Sequence, residues 1–396
     1  MRLPILLFLV FLTVNLLVDI YLWRRIKKSG HIRGARAYAW STAVMVCYAA
    51  VIAAFPKRGG DNGVLLTVMW LLFGYLSIYL PKYVITIFCL ISSLPQLFGR
   101  RSLKWIAVTG YVAGGLLFVG MWWGALINRF NINVNEVTVD INGLPESFDG
   151  FRIAQISDLH VGTFGNDTAF VSTIVDKINS LKPDLIVFTG DIVNRHTDEL
   201  IPFVMPLSRL TSPNGVISIL GNHDYGDYHD WPDAASRDKN NANLAYLQNE
   251  MHWTLLKDSF ITLHKGNDSI VVIGVENVGD KPFPVYGSLA RAYPATSDSV
   301  PKILLSHNPA HWTDEIADNP RHNIALTLAG HTHAMQIELG GISPAALRYR
   351  TWGGMYADSD STHLLYVNIG AGTVGFPARI GATPEIALFT LRPARR

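Results

Sequence analysis

Charge is scarce in this 396-residue sequence: 16% of residues are Asp, Glu, Lys or Arg, against about 25% in ordinary soluble domains. That deficit argues against an ordinary cytosolic enzyme. The 49% hydrophobic content excludes a disordered chain, which needs low hydrophobicity and high net charge. Cysteine is nearly missing. Cys47 and Cys89 sit in apolar runs and none follows, which excludes a disulfide framework or a thiolate zinc site in the C-terminal part. Acids are almost absent from residues 1–130, where Asp19 and Asp61 face 14 Lys and Arg, a balance of +12. Residues 131–396 carry a balance of −10 and 12 of the 13 histidines. The basic charge therefore flanks apolar runs, and no nucleic-acid partner is expected. Internal repeats and low-complexity tracts are also missing.

What is abundant is apolar length. A membrane-spanning helix needs about 20 mainly apolar residues. Leu3–Trp23, Tyr38–Phe55, Val64–Phe88 (continuing apolar to Phe98) and Trp105–Leu126 fit, so four spans are expected, with residues 83–98 as an alternative fifth segment. The first run lacks a small-residue cleavage site and is followed by Arg24-Arg25-Ile26-Lys27-Lys28, which reads as a retained anchor rather than a signal peptide. Basic residues crowd the loops after the first span (Arg24, Arg25, Lys27, Lys28, Arg33, Arg36) and the third (Arg100, Arg101, Lys104). The intervening loop has Lys57, Arg58 and Asp61. The positive-inside rule then puts the N-terminus and the acidic half outside the cytoplasm. Asp19 and Lys82 are the main polar groups within the spans, too few to suggest a transport path.

The remainder alternates strand and helix patterns. Val134–Ile141 has period-2 alternation. Phe151–Ser157, Asp184–Thr189 and Gly215–Leu220 are short apolar runs, separated by helical patterns at Ala169–Leu181 and Glu199–Leu210. This is the signature of βαβ units around a parallel sheet. Asp224–Asn243 is polar, and further short runs extend to Glu385–Leu391. The expected organisation is a membrane domain over 1–127, a linker and lead-in strand over 128–150, and an α/β domain over 151–396.

Polar residues fall where strand runs end: Asp158 and His160, Asp191, Asn222 and His223, His307, then His331 and His333. Ligands bind outside the carboxyl ends of strands in such sheets. Asp158, His160, Asp191, Asn222, His307, His331 and His333 supply two carboxylates, an amide and four imidazoles. Seven donors exceed what one divalent ion takes and suit two if a carboxylate bridges. Mixed oxygen and imidazole donors suit Mn, Fe or Zn, with Mg also admissible. Two such ions clamp a phosphoryl group.

Asp158-Leu-His160, Gly190-Asp191-x-x-Asn194, Gly221-Asn222-His223-Asp224, His307 and Gly330-His331-Thr-His333 resemble the signature of calcineurin-like metallophosphoesterases. The likeness covers about residues 134–393. It is strongest to a membrane-attached or exported bacterial branch with phosphodiesterases and UDP-2,3-diacylglucosamine pyrophosphatases. It implies a four-layer αββα sandwich and leaves the membrane spans unexplained. It also implies one metal on Asp158, His160, Asp191 and His333 and a second on Asp191, Asn222, His307 and His331. Hydroxide would attack phosphorus in line, with His223 stabilising the transition state or protonating the leaving group. Many members have Asp where this chain has Asn194, a residue that orients the catalytic His; Asp224 is the candidate to compensate. Arg379 and Arg195 are candidates for holding substrate.

The expected function is a multi-pass inner-membrane bacterial phosphoester hydrolase, a phosphodiesterase or pyrophosphatase on a lipid-linked or glycolipid phosphate, with the catalytic domain extracytoplasmic. A cytoplasmic domain would instead favour UDP-2,3-diacylglucosamine cleavage in lipid A synthesis. A receptor or transporter with a regulatory metal-binding domain is the alternative of another class. The sequence leaves oligomeric state open.

Overall fold

The computed structural model describes residues 2–55, 62–279, 281, 284–294, 300–319 and 322–394. Lys57, Arg58 and Asp61 of the second loop lie outside them. The chain divides into a helical unit within Met1–Lys57 and Thr67–Ala125 and a second unit made chiefly of Leu126–Arg396.

The helical unit has four long helices: α1 (Arg2–Lys28), α2 (Ile32–Ala54), α3 (Asn62–Ser93) and α4 (Lys104–Leu126). The stretches Ile32–Ala54, Asn62–Phe98 and Lys104–Phe130 are long and apolar enough to cross a membrane. Helix α3 runs unbroken through Pro81 and ends in a short 3₁₀ turn at Leu94–Phe98, so residues 83–98 form no separate helix. Gly110 and Gly114 let α4 approach α3 closely: a side chain at either would collide with Phe88 or Ile85, the small-residue packing common between membrane helices. Asp19 is buried and accepts from Tyr38 Oη (2.7 Å), Tyr79 Oη (2.8 Å) and Lys82 Nζ (2.8 Å). The carboxylate and the ammonium are thus paired inside the helical unit, which offsets the cost of burying either charge.

The second unit holds two six-stranded sheets. The strands are β1 (Asn133–Ile141), β2 (Arg152–Ile156), β3 (Leu185–Phe188), β4 (Val216–Ser218), β5 (Trp253–Leu255), β6 (Ser259–Lys265), β7 (Asp268–Gly274), β8 (Lys302–Leu305), β9 (Ile324–Ala329), β10 (Gly354–Ala357), β11 (Leu364–Val367) and β12 (Glu385–Pro393). The first sheet has order β1-β12-β2-β3-β4-β5 and the second β10-β11-β9-β8-β7-β6. Strands β2 to β5 are parallel, as are β7, β8, β9 and β11. Strand β1 pairs along its whole length with β12, from Asn133–Glu385 to Ile141–Pro393. Its alternation is as expected, with Val139 and Ile141 buried and Thr138 and Asp140 exposed.

Side chains of both sheets interdigitate in one core, including Ile153, Val187, Ile217, Val272, Leu305 and Leu326. Helices α5 (Ala169–Leu181) and α7 (Ala234–Glu250), with the short α6 (Val204–Leu207), cover the outer face of the first sheet through Ile174, Ile178 and Leu244. The outer face of the second is covered by α8 (Leu289–Ala292) and the turn carrying Trp312 and Ile316. This is the four-layer αββα sandwich. One expectation fails. Glu199–Leu210 is a 3₁₀ helix, Thr197–Phe203, followed by one α turn. Pro202 and Pro206 remove the backbone donors that a regular α-helix needs. The polar stretch after Asp224 contains α7, capped by Asp233 accepting from Ser236 N at 2.7 Å.

Candidate metal centre

The loops leaving the strands converge at one end of the sandwich. Asp158 and His160 follow β2, Asp191 follows β3, Asn222 and His223 follow β4, His307 follows β8, and His331 and His333 follow β9. Asp158, His160, Asp191, His331 and His333 all have φ between 44° and 76°. Left-handed backbone at non-glycine residues costs free energy, and such residues cluster where a site over-determines them. The glycines beside them are steric requirements: a side chain at Gly221 would collide with Asp191, and one at Gly330 with Ser157 and Asp158.

Two donor groups result. Asp158, His160 and His333 form one, and Asp191, His307 and His331 the other; within each, ligand atoms lie within 4.8 Å of one another. Asp191 Oδ2 reaches across both, 3.2 Å from His307 Nε2 and 3.6 Å from His160 Nε2. His333 Nε2 lies 3.2 Å from Asp158 Oδ1 and 3.0 Å from His160 Nε2. His160 Nδ1 donates to Val193 O (3.2 Å) and His307 Nδ1 to Thr189 O (2.7 Å). Those carbonyls fix the ring orientations and assign Nε2 as the ligating nitrogen.

The donor set fits cations. Asn222 Oδ1 is buried without a hydrogen-bond partner, which is costly unless an ion takes up the lone pair. The amide of Asn222 is oriented by its Nδ2, which donates to Tyr228 Oη at 2.9 Å. Burial works against charge on Asp158 and Asp191, yet surrounding imidazoles hold both below the usual carboxylate range. Burial lowers His160 and His333, and it lowers His331 to about 3, keeping these imidazoles neutral and able to ligate. His307 goes the other way: burial is outweighed by Asp191 and Asp158, which raise it to about 10.

His223 sits at the rim, half-buried, with its ring stacked on Tyr228 at 4.2 Å and edge-on to His160 at 4.8 Å. Its Nδ1 donates to the main-chain carbonyl of Asn194 at 2.7 Å. The orienting group is therefore the Asn194 backbone, not its side chain, whose Oδ1 is buried without a partner. Glu199 positions that carbonyl by accepting from the backbone N of Asn194 (2.5 Å) and Arg195 (3.4 Å). Asp224 does not stand in for a missing acid either. Its Oδ2 accepts from Asp191 N and Gly221 N, and its Oδ1 from Ile192 N and Val193 N. It clamps the Asp191 loop to the Asn222 loop. Burial and Asp191 push it up to about 7, against the pull of those N–H donors.

The structure corrects Arg379 as a substrate contact. Arg379 is fully buried; Nε donates to Gly372 O (2.7 Å), Nη1 to Ala382 O (3.1 Å) and Nη2 to Ile369 O (2.9 Å), with His333 Nδ1 3.2 Å away. Three of its five N–H groups go to carbonyls of the C-terminal loops, and full burial keeps the guanidinium away from a substrate phosphate. Arg195 is buried, with Nε 3.7 Å from Glu199 Oε1. Tyr228 and Tyr349, whose hydroxyl lies 3.2 Å from His331 Nε2, were not foreseen; nothing in their sequence surroundings marks them. Trp352 packs on Ala334, Ile369 and Ala382, while Met355 lies exposed on β10.

A family model for calcineurin-like phosphoesterases matches residues 151–335, and one described as a probable calcineurin-like phosphoesterase transmembrane domain matches residues 1–129. Metallophosphoesterase YkuE of Bacillus subtilis is 32% identical over 305 residues, 74% of this chain and 97% of the relative. A transmembrane protein with metallophosphoesterase domain from Bos taurus is 30% identical over 267 residues, 66% of this chain and 57% of that one. UDP-2,3-diacylglucosamine pyrophosphatase LpxG of Chlamydia trachomatis is 28% identical over 321 residues, 66% of this chain and 90% of that one. With two donor groups for divalent ions behind a transmembrane region, the chain belongs to the calcineurin-like phosphoesterases and is a metal-dependent phosphoester hydrolase.

Proposed function

We propose that this chain is a membrane-anchored, two-metal hydrolase of a phosphodiester or pyrophosphate in a lipid-linked or glycolipid phosphate. The observation that carries it is the pair of buried donor groups joined through Asp191, with His223 at their rim. Asp158, His160, Asp191 and His333 would hold one ion, and Asp191, Asn222, His307 and His331 the other. Mn, Fe or Zn suits this mixture of imidazole and oxygen donors, and Mg is admissible. When bound, the ions supply charge that polarises the phosphoryl group and a hydroxide nucleophile near neutral pH.

The protein's own part is orientation and proton delivery. Asp191 spans both donor groups and also accepts from His223 N at 2.8 Å, tying the acid's backbone to the metal loop. With Nδ1 committed to the Asn194 carbonyl, His223 Nε2 is left to hold and deliver a proton to the departing oxygen, worth about 10²–10⁴ in rate.

We further propose four spans over 1–127, a linker and lead-in strand over 128–150, and the catalytic domain over 151–396. Loop charge supports a bacterial inner-membrane protein with that domain outside the cytoplasm. The LpxG relatives support a second reading, UDP-2,3-diacylglucosamine cleavage, if the domain is cytoplasmic. The paired Asp19 and Lys82 give little support to a transporter.

The test is hydrolysis by the full chain in nanodiscs of bis-p-nitrophenyl phosphate, UDP-2,3-diacylglucosamine and a phospholipid diester. EDTA treatment and Mn²⁺ restoration would be run alongside. Metal-dependent turnover of the chromogenic diester and of one lipid is expected. Turnover of p-nitrophenyl phosphate alone would refute the diester and pyrophosphate reading.

A further inference from the structure

Between His333 and β10 the chain makes a pinned loop with an apolar tip. Its base is fixed: Glu338 N donates to Ile380 O (2.8 Å), Ile380 N to Gln336 O (2.8 Å) and Ser343 Oγ to Ala334 O (2.6 Å). The tip is a two-residue hairpin, Leu339-Gly340-Gly341-Ile342, closed by Leu339 N to Ile342 O at 2.9 Å. Gly340 and Gly341 both have positive φ, 60° and 80°, as this tight turn demands. The hairpin presents Leu339 (67% exposed) and Ile342 (75%), and Leu347 (93%) follows. Three exposed aliphatic side chains within nine residues of chain are poorly solvated by water, and exposed apolar surface of this kind marks interaction sites.

Arg348 and Arg350 are exposed immediately beyond, with Arg348 Nη2 donating to Lys281 O at 3.1 Å. Arg348 lies over the Tyr349 ring at 5.1 Å, and Tyr349 Oη reaches His331 Nε2. One continuous segment thus runs from two candidate metal ligands, through an aliphatic tip, to a pair of cations, and back to the metal centre. Aliphatic tips flanked by arginines match the interface of an anionic bilayer, where acyl chains meet phosphate headgroups. A bilayer is at hand in the sequence: an apolar helix ends at Leu126, and β1 begins at Asn133.

We propose that Leu339, Ile342 and Leu347 dip into the surface of an anionic bilayer, with Arg348 and Arg350 on its headgroups, so that a lipid phosphate is drawn toward the metal centre. This rests on the lipid-substrate reading above and names how such a substrate is presented. The surface commits to membrane lipid; a second copy of the chain is the rival occupant.

The experiment uses the full chain in nanodiscs containing phosphatidylglycerol, with Cys47→Ala and Ile342→Cys carrying an environment-sensitive fluorophore. Ser361→Cys, exposed in the loop between β10 and β11, is the aqueous control. The label at 342 should be blue-shifted and quenched by doxyl-lipids, while that at 361 is quenched by iodide only. Equal iodide quenching at both positions would overturn the proposal. So would a blue shift that tracks dimerisation in light scattering without doxyl quenching, which would identify a second copy as the occupant. In parallel, the triple variant Leu339→Ser, Ile342→Ser, Leu347→Ser should keep its rate on bis-p-nitrophenyl phosphate. Its rate on a phospholipid diester in the same discs should fall about tenfold or more, from lost apolar burial. Failure of the wild type on the chromogenic diester would sink the enzyme reading alone. Lost doxyl quenching with that activity intact would sink the docking alone.

Discussion

Arg379 separates the sequence expectation from the structural one, and its replacement gives opposite results under each. The guanidinium is fully buried and burial lowers it to about 10, so it remains charged near neutral pH. It ties Gly372, Ala382 and Ile369 through their carbonyls. A hydrogen bond from a charged group contributes about 1.5–3 kcal/mol. Losing all three in Arg379→Met would cost about 5–9 kcal/mol, comparable with the whole stability of a domain. That variant should not accumulate as folded protein. Arg379→Lys keeps the charge and reaches part of the carbonyl set, so the loss should be about 2–4 kcal/mol. For a unit of this size that lowers Tm by about 5–15 °C. Thermal unfolding in detergent reads the stability, and steady-state hydrolysis of bis-p-nitrophenyl phosphate below the transition reads KM. The structure predicts a lower Tm with KM unchanged. An unchanged Tm with KM raised about tenfold, the outcome of losing a phosphate contact worth about 1.4 kcal/mol, would refute the reasoning.

Other outcomes follow from single contacts. Asn194→Ala keeps the carbonyl that holds His223 and deletes an orphaned buried oxygen, so kcat should stay within about threefold, whereas His223→Gln should lower it about 10²–10⁴-fold; both are read by steady-state kinetics. Tyr228→Phe removes the acceptor of the Asn222 amide while keeping the stacked ring, so Mn²⁺ affinity by titration should fall about tenfold. Glu385 is fully buried, and burial raises it to about 7 against the pull of the Ile369 N–H and Arg379. Its folded pKa lies above the unfolded value, so its contribution to stability is complete below about pH 4.5 and is lost as pH rises through about 7, up to about 3 kcal/mol. Glu385→Gln should flatten the fall in Tm between about pH 5 and 8 relative to wild type; parallel Tm curves would contradict this.

The strand runs were legible because each buried strand is a short apolar block that ends in polar residues, and the sandwich follows from their order. Helix α7 escaped because its 17 residues are mainly polar and only Asn240, Leu244 and Gln248 are buried, which leaves no apolar stripe. The helical pattern over Glu199–Leu210 was real as spacing, but spacing does not register the missing donors of Pro202 and Pro206. At the site, residue types were readable and hydrogen-bond partners were not. Asp224 looks like a catalytic acid in sequence, and only the fold shows four main-chain N–H groups consuming its oxygens. Asn194 holds His223 through a carbonyl that any residue would supply, so no side-chain pattern could reveal it. Five candidate ligands in left-handed backbone are likewise invisible without coordinates.

In the proposed function Asp191 joins two cation sites whose joint presence drives hydrolysis. The most direct test is the Mn²⁺ content of the full-length protein by mass spectrometry, for wild type and Asp191→Ala, with diester hydrolysis read on the same samples. The account predicts two bound ions and turnover in the wild type. In the variant it predicts at most one ion and a rate lower by about 10³-fold or more, as expected when a two-ion clamp is lost. Two ions and near-wild-type turnover in Asp191→Ala would contradict it.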